Sequence, residues 1–306
     1  MTDKLNVMIV KRYCISFVLI SLSVVSAVAA NPKVTVGVRG FTEQIILSEM
    51  TDQYLEEKGF NVEEERGLLN GKLNHEAMVN KEIDIMWEYT GTAYEYLFNK
   101  PYNGEKPEVI YSRVKAEDYQ NGIVWLDASS VNNTYAFAMN KDKAKEKGIF
   151  TIDDMAQYQS SISSLTFATE DFFFKQEDGL VAFENEYQFK FDRNDVARLE
   201  VGQIYQRLAD NEFDVGLVYS TDGRIVKHDF IILTETRNFF PGYYITPLIR
   251  QETLQKYPEI AVHLNELAAV LDTDVMTKLN SRVDVDKVYI WEVVEEFLIE
   301  QGMLAL

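Results

Sequence analysis

The pattern of apolar and polar positions in the first third of the chain alternates between strand-like runs and helical spacing. Three runs predict strands: residues 34–38, 62–65 and 83–87. Between them, apolar residues at helical spacing predict helices over 46–55 and 73–81, with Thr42 as the N-cap of the first and Gly59 as its stop. This alternation predicts a mainly parallel sheet covered by helices, with ligands at the carboxyl ends of its strands.

A second alternating unit follows. Residues 134–139, 165–168, 214–219 and 230–233 predict strands, and residues 203–209 predict a helix. Thr151 with Asp154 three residues later fits a capping box that opens another helix. After Pro247 the pattern is nearly all helical, which predicts helices that close over the first unit. The sequence therefore predicts two α/β lobes joined by crossing segments, with a ligand groove between them.

The N-terminal segment has the pattern of an export signal. Lys11 and Arg12 precede the apolar residues 15–28, and small residues follow, so we expect cleavage after Ala29 or Ala30. An uncleaved membrane anchor is the alternative. We accordingly predict a signal peptide over residues 1–30, a first lobe built from residues 31–133 and 241–306, and a second lobe over residues 134–240.

The cysteine pattern agrees with export to a periplasm. Cys14 is the single cysteine, and it precedes the apolar run, whereas a lipid-attachment cysteine follows such a run. The cleaved chain would contain no thiol, which excludes disulfides, cysteine metal ligands and cysteine nucleophiles. We expect a periplasmic monomer without a metal or other cofactor.

Charge and motifs restrict the functional classes. Asp and Glu number 49 against 30 Lys and Arg, a net charge of −19, which disfavours binding to nucleic acids and anionic lipids. The sequence lacks the usual nucleotide-binding, metalloprotease and nucleophile-elbow motifs. Ser220, Asp222 and His228 leave an exported hydrolase as a weak alternative, although a turn explains the same residues.

Tyrosines stand at the ends of predicted strands, where the cleft of such a fold lies. They are Tyr89, Tyr135, Tyr219 and the Tyr243–Tyr244 pair. Singly, each is more typical of a core or rim position in so aromatic a chain. Together they indicate a box of rings, which suits a cation because ring faces carry negative quadrupole charge.

Five segments in order carry a family resemblance: VGVRGFTEQ at 36–44, EYTGT at 88–92, NNTYA at 132–136, YSTDGRI at 219–225 and FFP at 239–241. The chain resembles the extracytoplasmic substrate-binding proteins of osmoprotectant ABC importers, which bind glycine betaine, choline, carnitine and similar compounds. The resemblance implies a two-lobe, type II-like periplasmic binding protein fold, no catalysis, and a membrane permease as partner. A binding protein of this fold for an amino acid or another zwitterion is the alternative.

The resemblance also implies the ligand-binding residues. The cage tyrosines match Tyr89, Tyr135, Tyr219 and Tyr243, and Thr92 shares the loop of Tyr89. Arg39 stands where relatives vary between glutamine and lysine; it either binds a ligand carboxylate or forms a surface or interlobe ion pair.

Three features of the sequence limit this resemblance. Tyr111 matches no motif, so we expect it to be packed or at the rim. Gly242 and Tyr244 depart from the family pattern, and residues 174–179 resemble a family stretch in which some relatives carry an arginine. These differences concern the pocket rim and the carboxylate end rather than the cage.

Overall fold

The computed structural model of the chain describes residues 31–68, 70–177 and 179–305. The expected signal peptide therefore lies outside the described residues. Within them, no helix has the length and apolar character to cross a membrane.

Strands and helices alternate along the described chain. The strands are β1 (Lys33–Gly37), β2 (Asn61–Glu65), β3 (Ile85–Tyr89), β4 (Ile123–Trp125), β5 (Tyr135–Asn140), β6 (Phe167–Thr169), β7 (Val196–Arg198), β8 (Val215–Tyr219), β9 (Phe230–Ile232) and β10 (Ile245–Arg250). The helices are α1 (Thr42–Glu57), α2 (Gly71–Val79), α3 (Thr90–Thr92), α4 (Pro107–Gln120), α5 (Lys141–Lys147), α6 (Ile152–Ser161), α7 (Asp171–Lys175), α8 (Leu180–Tyr187), α9 (Val201–Ala209), α10 (Arg224–Lys227), α11 (Gln251–Lys256), α12 (Glu259–Ala269), α13 (Thr273–Asp284) and α14 (Ile290–Glu300). A π-helical turn (Ala93–Leu97) continues α3, and a 3₁₀ turn (Arg193–Asp195) precedes β7.

The first sheet has the order β2-β1-β3-β10-β4. Strand β1 pairs in parallel with β2 and β3, as the alternating pattern predicts. Strand β10 is antiparallel to both β3 and β4. It begins before Pro247 and continues to Arg250, so the prediction of helix directly after Pro247 is wrong there. Although Pro247 has no N–H to donate, its carbonyl accepts a hydrogen bond from the N–H of Leu126.

Apolar side chains cover both faces of this sheet. Successive residues of a strand point to opposite faces, which places Ile85 and Trp87 on one side and Met86 on the other. The Trp87 face packs against α1 and the C-terminal helices α12, α13 and α14, as expected for helices that close over the first unit. The opposite face packs against α2 and α4.

The second sheet has the order β7-β6-β8-β5-β9. Strands β6, β7 and β8 run parallel, and β5 is antiparallel to β8 and β9. Phe137 and Met139 belong to one core, while Ala136 and Ala138 face another with Tyr205 of α9. Two sheets with separate cores confirm the α/β class.

Two segments cross between the sheets side by side. The N–H of Asn133 donates to the carbonyl of Tyr243, and the N–H of Tyr243 donates to Oδ1 of Asn132. Helix α13 also bridges the sheets: a Cβ added to Gly223, which precedes α10, would overlap the backbone of Ser281. The strand ends of both sheets therefore meet in one region.

The predicted helix starts are partly correct. Thr151 caps α6 with a complete capping box to Asp154. Thr42, in contrast, is the first residue of α1 rather than its N-cap; the cap is Phe41, which forms no side-chain cap bond, and the Thr42 hydroxyl donates to Asp284 at 2.7 Å. Gly59, at φ +87°, follows the end of α1 as predicted.

Candidate functional site

A cavity of about 560 Å³ lies where the strand ends and the crossing segments meet. It is lined by all six residues expected at the site: Arg39, Tyr89, Thr92, Tyr135, Tyr219 and Tyr243. Its wall also contains Phe41, Glu43, Asn133 and Asn280. The cavity therefore lies at the ends of β1, β3, β5 and β8, where the sequence pattern predicts a ligand groove.

Two of the tyrosines are direct cross-strand partners in the second sheet. Tyr135 begins β5 and Tyr219 ends β8, and the two are opposite each other in the ladder. Their ring centroids lie 5.2 Å apart, and Phe240 packs 5.8 Å from Tyr135. The Tyr135 hydroxyl donates to Glu170. Burial, then the charge of Glu170, raises the pKa of Tyr219 above its ordinary value, so this ring stays neutral.

Tyr89 lines the cavity from the end of β3 and is 4% exposed. Its hydroxyl donates to Oε1 of Glu43 at 2.6 Å, and its ring stacks against Phe41 at 6.4 Å. Burial, followed by the charge of Glu43, raises the pKa of Tyr89 well above its ordinary value. Tyr89 therefore presents a neutral and fixed ring.

Tyr243 comes from the second crossing segment. Its hydroxyl donates to Oε2 of Glu95 at 2.8 Å. Its ring lies against Gly91, where an added Cβ would be 2.7 Å from ring atom Cδ1. Gly91 is thus required for this ring position because any side chain would displace the tyrosine.

Arg39 lines the cavity and also forms a buried ion pair. Its Nη2 donates to Oε2 of Glu88, which is itself fully buried and accepts a second hydrogen bond from the N–H of Tyr89. The guanidinium lies 5.4 Å from the centre of the Tyr89 ring, and its Nε has no hydrogen-bond partner among the described residues. Burial lowers the pKa of Arg39 from its ordinary value. Arg39 therefore lines the cavity, and it forms an ion pair that is buried beside the first sheet rather than at the surface or between lobes.

Glu43 is a wall residue that the sequence reasoning did not single out. It stands in the first turn of α1 and is 3% exposed. Besides Tyr89, the amides of Asn133 and Asn280 donate to its carboxylate at 2.8 and 3.1 Å. The FTEQ motif contains Glu43, so a signal existed for it. Asn280 lies in the middle of α13 within no motif, and nothing local indicated its place.

The remaining residues considered from sequence have ordinary surroundings. Tyr111 donates its hydroxyl to the carbonyl of Leu126 at 2.5 Å and packs against the core on one face of the first sheet, as expected of a packed residue. The Ser220 hydroxyl donates to the carbonyl of Asn132 at 2.7 Å, and Asp222 binds Arg224. His228 stacks on Phe230 at 5.4 Å. Ser220 and Asp222 are thus engaged with groups other than His228.

An acidic cluster lies on α1 and β2. Oxygens of Glu49, Asp52 and Glu64 come within 4.8 Å of one another, and Arg66 binds Glu64 at 2.7 Å. Burial and then the neighbouring glutamates raise the pKa of Asp52 to about 7. None of these residues lines the cavity.

Comparison with known proteins identifies the family. Residues 32–300 match the OpuAC family model, described as the substrate binding domain of ABC-type glycine betaine transport system. The chain belongs to the OpuAC family. A glycine-betaine-binding protein of Pseudomonas aeruginosa is 33% identical over 275 residues, which cover 88% of each chain. The carnitine transport binding protein OpuCC of Listeria monocytogenes is 30% identical over 259 residues, 84% of this chain and 82% of that one.

Solved structures agree with this assignment. A crystal structure of a glycine betaine/carnitine/choline ABC transporter superposes with a TM-score of 0.83 at 26% identity, covering 88% of this chain and 99% of the other. OpuAC-family proteins are substrate-binding components of transporters and do not form an enzyme class. The resemblance stated from sequence and the two-lobe α/β fold are confirmed.

Proposed function

We propose that this chain is the extracytoplasmic substrate-binding component of an ABC importer for quaternary ammonium compatible solutes such as glycine betaine, carnitine or choline. The observation that carries the proposal is the convergence of Tyr89, Tyr135, Tyr219 and Tyr243, from both sheets and a crossing segment, on one cavity. The OpuAC family assignment supports the same class of cargo.

The rings suit this cargo for a physical reason. A quaternary ammonium has no N–H to donate, so hydrogen bonds cannot hold it, whereas ring faces attract it electrostatically. Each desolvated ring contributes about 1–2 kcal/mol, and four rings supply roughly half or more of the ~8 kcal/mol of micromolar binding. The hydroxyls of Tyr89, Tyr135 and Tyr243 already donate to protein carboxylates, which leaves their ring faces as the ligand surface.

The other end of a betaine requires donors. Thr92 and Arg39 both line the cavity, and Nε of Arg39 has no hydrogen-bond partner among the described residues. We assign them to a ligand carboxylate, with Arg39 held in place by Glu88. This end discriminates betaines and carnitine from choline, which has a hydroxyl there.

We further propose that residues 31–133 and 241–306 form one lobe and residues 134–240 the other. The lobes close by a hinge motion at the crossing segments near Tyr135 and Tyr243, because a ligand that touches both lobes stabilises the closed form. The loaded monomer then delivers its cargo to a membrane permease outside the cytoplasm.

The test is calorimetric titration and thermal shift of the chain from Asn31 onward with glycine betaine, choline, carnitine and proline betaine, and with the amino acid proline for comparison. We expect micromolar affinity for at least one of them and an increase in Tm that grows with ligand concentration. A response to amino acids such as proline alone would favour the amino-acid alternative, and no response to any quaternary ammonium compound would refute the proposal. The variant Tyr219→Ala, which removes one ring of the proposed cage, should lose affinity in the same assays.

A further inference from the structure

The buried carboxylate of Glu43 is held by neutral groups. Its donors are the phenol of Tyr89 and the side-chain amides of Asn133 and Asn280, at 2.6 to 3.1 Å. They come from β3, a crossing segment and α13, so three separate parts of the fold hold this one charge in position.

The other charges of the cavity wall are paired or solvated. Arg39 pairs with Glu88, and Asp222 pairs with Arg224. Asp284 is exposed at the rim. Among the ion pairs of the described residues, none includes Glu43. Glu43 is therefore a buried carboxylate of the wall that has no cationic side chain within 4.0 Å among the described residues.

Burying a carboxylate without a nearby cation destabilises the protein. Hydrogen bonds from neutral donors offset part of the desolvation of a buried carboxylate, and a nearby cation offsets much more. Glu43 faces the same cavity as the ring of Tyr89, to which it is hydrogen-bonded. A cation enclosed by the rings would lie close to this carboxylate at low local dielectric.

We propose that Glu43 is a specificity-determining residue: its charge sets the preference of the cavity for a cationic head group over an uncharged group of the same shape. The proposal rests on the proposed function and deepens it. The rings alone favour a cation modestly; the carboxylate adds a full charge. A trimethylammonium group is selected by both, and a tert-butyl group of equal size by neither.

The experiment compares each ligand with its carbon isostere. Choline is paired with 3,3-dimethylbutan-1-ol, and glycine betaine with 3,3-dimethylbutanoate, with dissociation constants measured by calorimetry or displacement. In Glu43→Gln the ammonium member should lose affinity by roughly 10- to 100-fold, as expected for one charge at about 6 Å and an effective dielectric of about 20. The isostere should change less than about threefold.

Two further variants separate charge from structure. Glu43→Asp keeps the charge but places it farther from the cavity, because the side chain is shorter. The affinity for the ammonium member should therefore fall a few-fold relative to the affinity for its isostere. This variant provides the test if Glu43→Gln does not fold. Glu184→Gln removes a carboxylate that is also buried, 4% exposed, but is bound to Arg193 away from the cavity. It should leave the ratio of the two affinities unchanged.

The outcomes distinguish the two proposals. If the unaltered protein binds a quaternary ammonium compound and the Glu43 variants weaken both members of a pair equally, the role of Glu43 is refuted while the proposed function stands. If the unaltered protein binds no quaternary ammonium compound, both fall. A loss confined to the ammonium member supports the role.

Discussion

Replacing Arg39 by glutamine tests the buried ion pair between Arg39 and Glu88 at the cavity. Glu88 is fully buried, and Arg39 supplies its ionic partner. The substitution leaves the carboxylate with one hydrogen bond, from the N–H of Tyr89. The remaining charge then has no cation within reach on the described wall, and its desolvation is no longer offset.

The expected decrease in the free energy of unfolding is large for a single substitution. Breaking a buried pair by removing one partner costs about 3 kcal/mol or more, which corresponds to a decrease in Tm of roughly 5–10 °C for a chain of this size. Replacing both partners, as in Arg39→Gln with Glu88→Gln, removes the orphaned charge as well. The double variant should recover to within about 1 kcal/mol of the unaltered protein.

The assay is urea unfolding followed by tryptophan fluorescence, with all four members of the cycle measured from pH 5 to 8. The penalty of the single variant should shrink as the pH falls, because the unpaired buried carboxylate then takes up a proton more readily in the folded state. Two results would refute the reasoning: a single variant within about 0.5 kcal/mol of the parent, or a double variant as unstable as the single.

Four other predictions concern the site and the acidic cluster. Arg39→Gln should also weaken glycine betaine more than choline in calorimetry, and equal weakening would show that Arg39 does not bind the carboxylate. Tyr219→Ala should lower quaternary ammonium affinity roughly tenfold, whereas Ser220→Ala, which removes only a hydrogen bond to the crossing segment, should lower it much less. Gly91→Ala should displace the Tyr243 ring and weaken binding by roughly tenfold with a small change in Tm; an unchanged Kd would show that this ring is not part of the cage. The pKa of Asp52 is raised to about 7, so the folded state holds a proton that the unfolded state releases near pH 4, and stability falls as the pH rises from about 4 to 7. Asp52→Asn should remove this slope and stabilise the protein at pH 8 by about 1 kcal/mol after allowance for the screening of this half-exposed group, as measured by thermal unfolding across pH.

The parts of the fold that depend on local pattern were predictable. Periodicity located most strands of both sheets, and a capping box located α6. That the tyrosines at strand ends line one cavity follows from a general property of the fold, since residues at strand ends meet in the cleft. Tyr135 and Tyr219 are far apart in sequence, yet both could be placed because each ends or begins an apolar run.

The parts that depend on tertiary partners were not predictable. Asn280 reaches Glu43 across 237 residues of sequence, and no local signal of α13 distinguishes it from an ordinary helical asparagine. The pairing of Arg39 with Glu88 requires adjacent strands in register, which periodicity does not specify. No strand is predicted at β10 from the sequence, because the pattern after Pro247 is helical; the strand forms between β3 and β4, which are distant in sequence.

The antiparallel ladder that joins Tyr135 to Tyr219 has a consequence for the order of events during capture. Because these two rings are neighbours in one sheet, they would stay together during the lobe motion proposed above. Tyr89 and Tyr243 are likewise tied to the opposite half, through β3 and through Gly91. Under the proposed function, a solute can first bind one preformed pair of rings, and lobe closure then brings the other pair to it together.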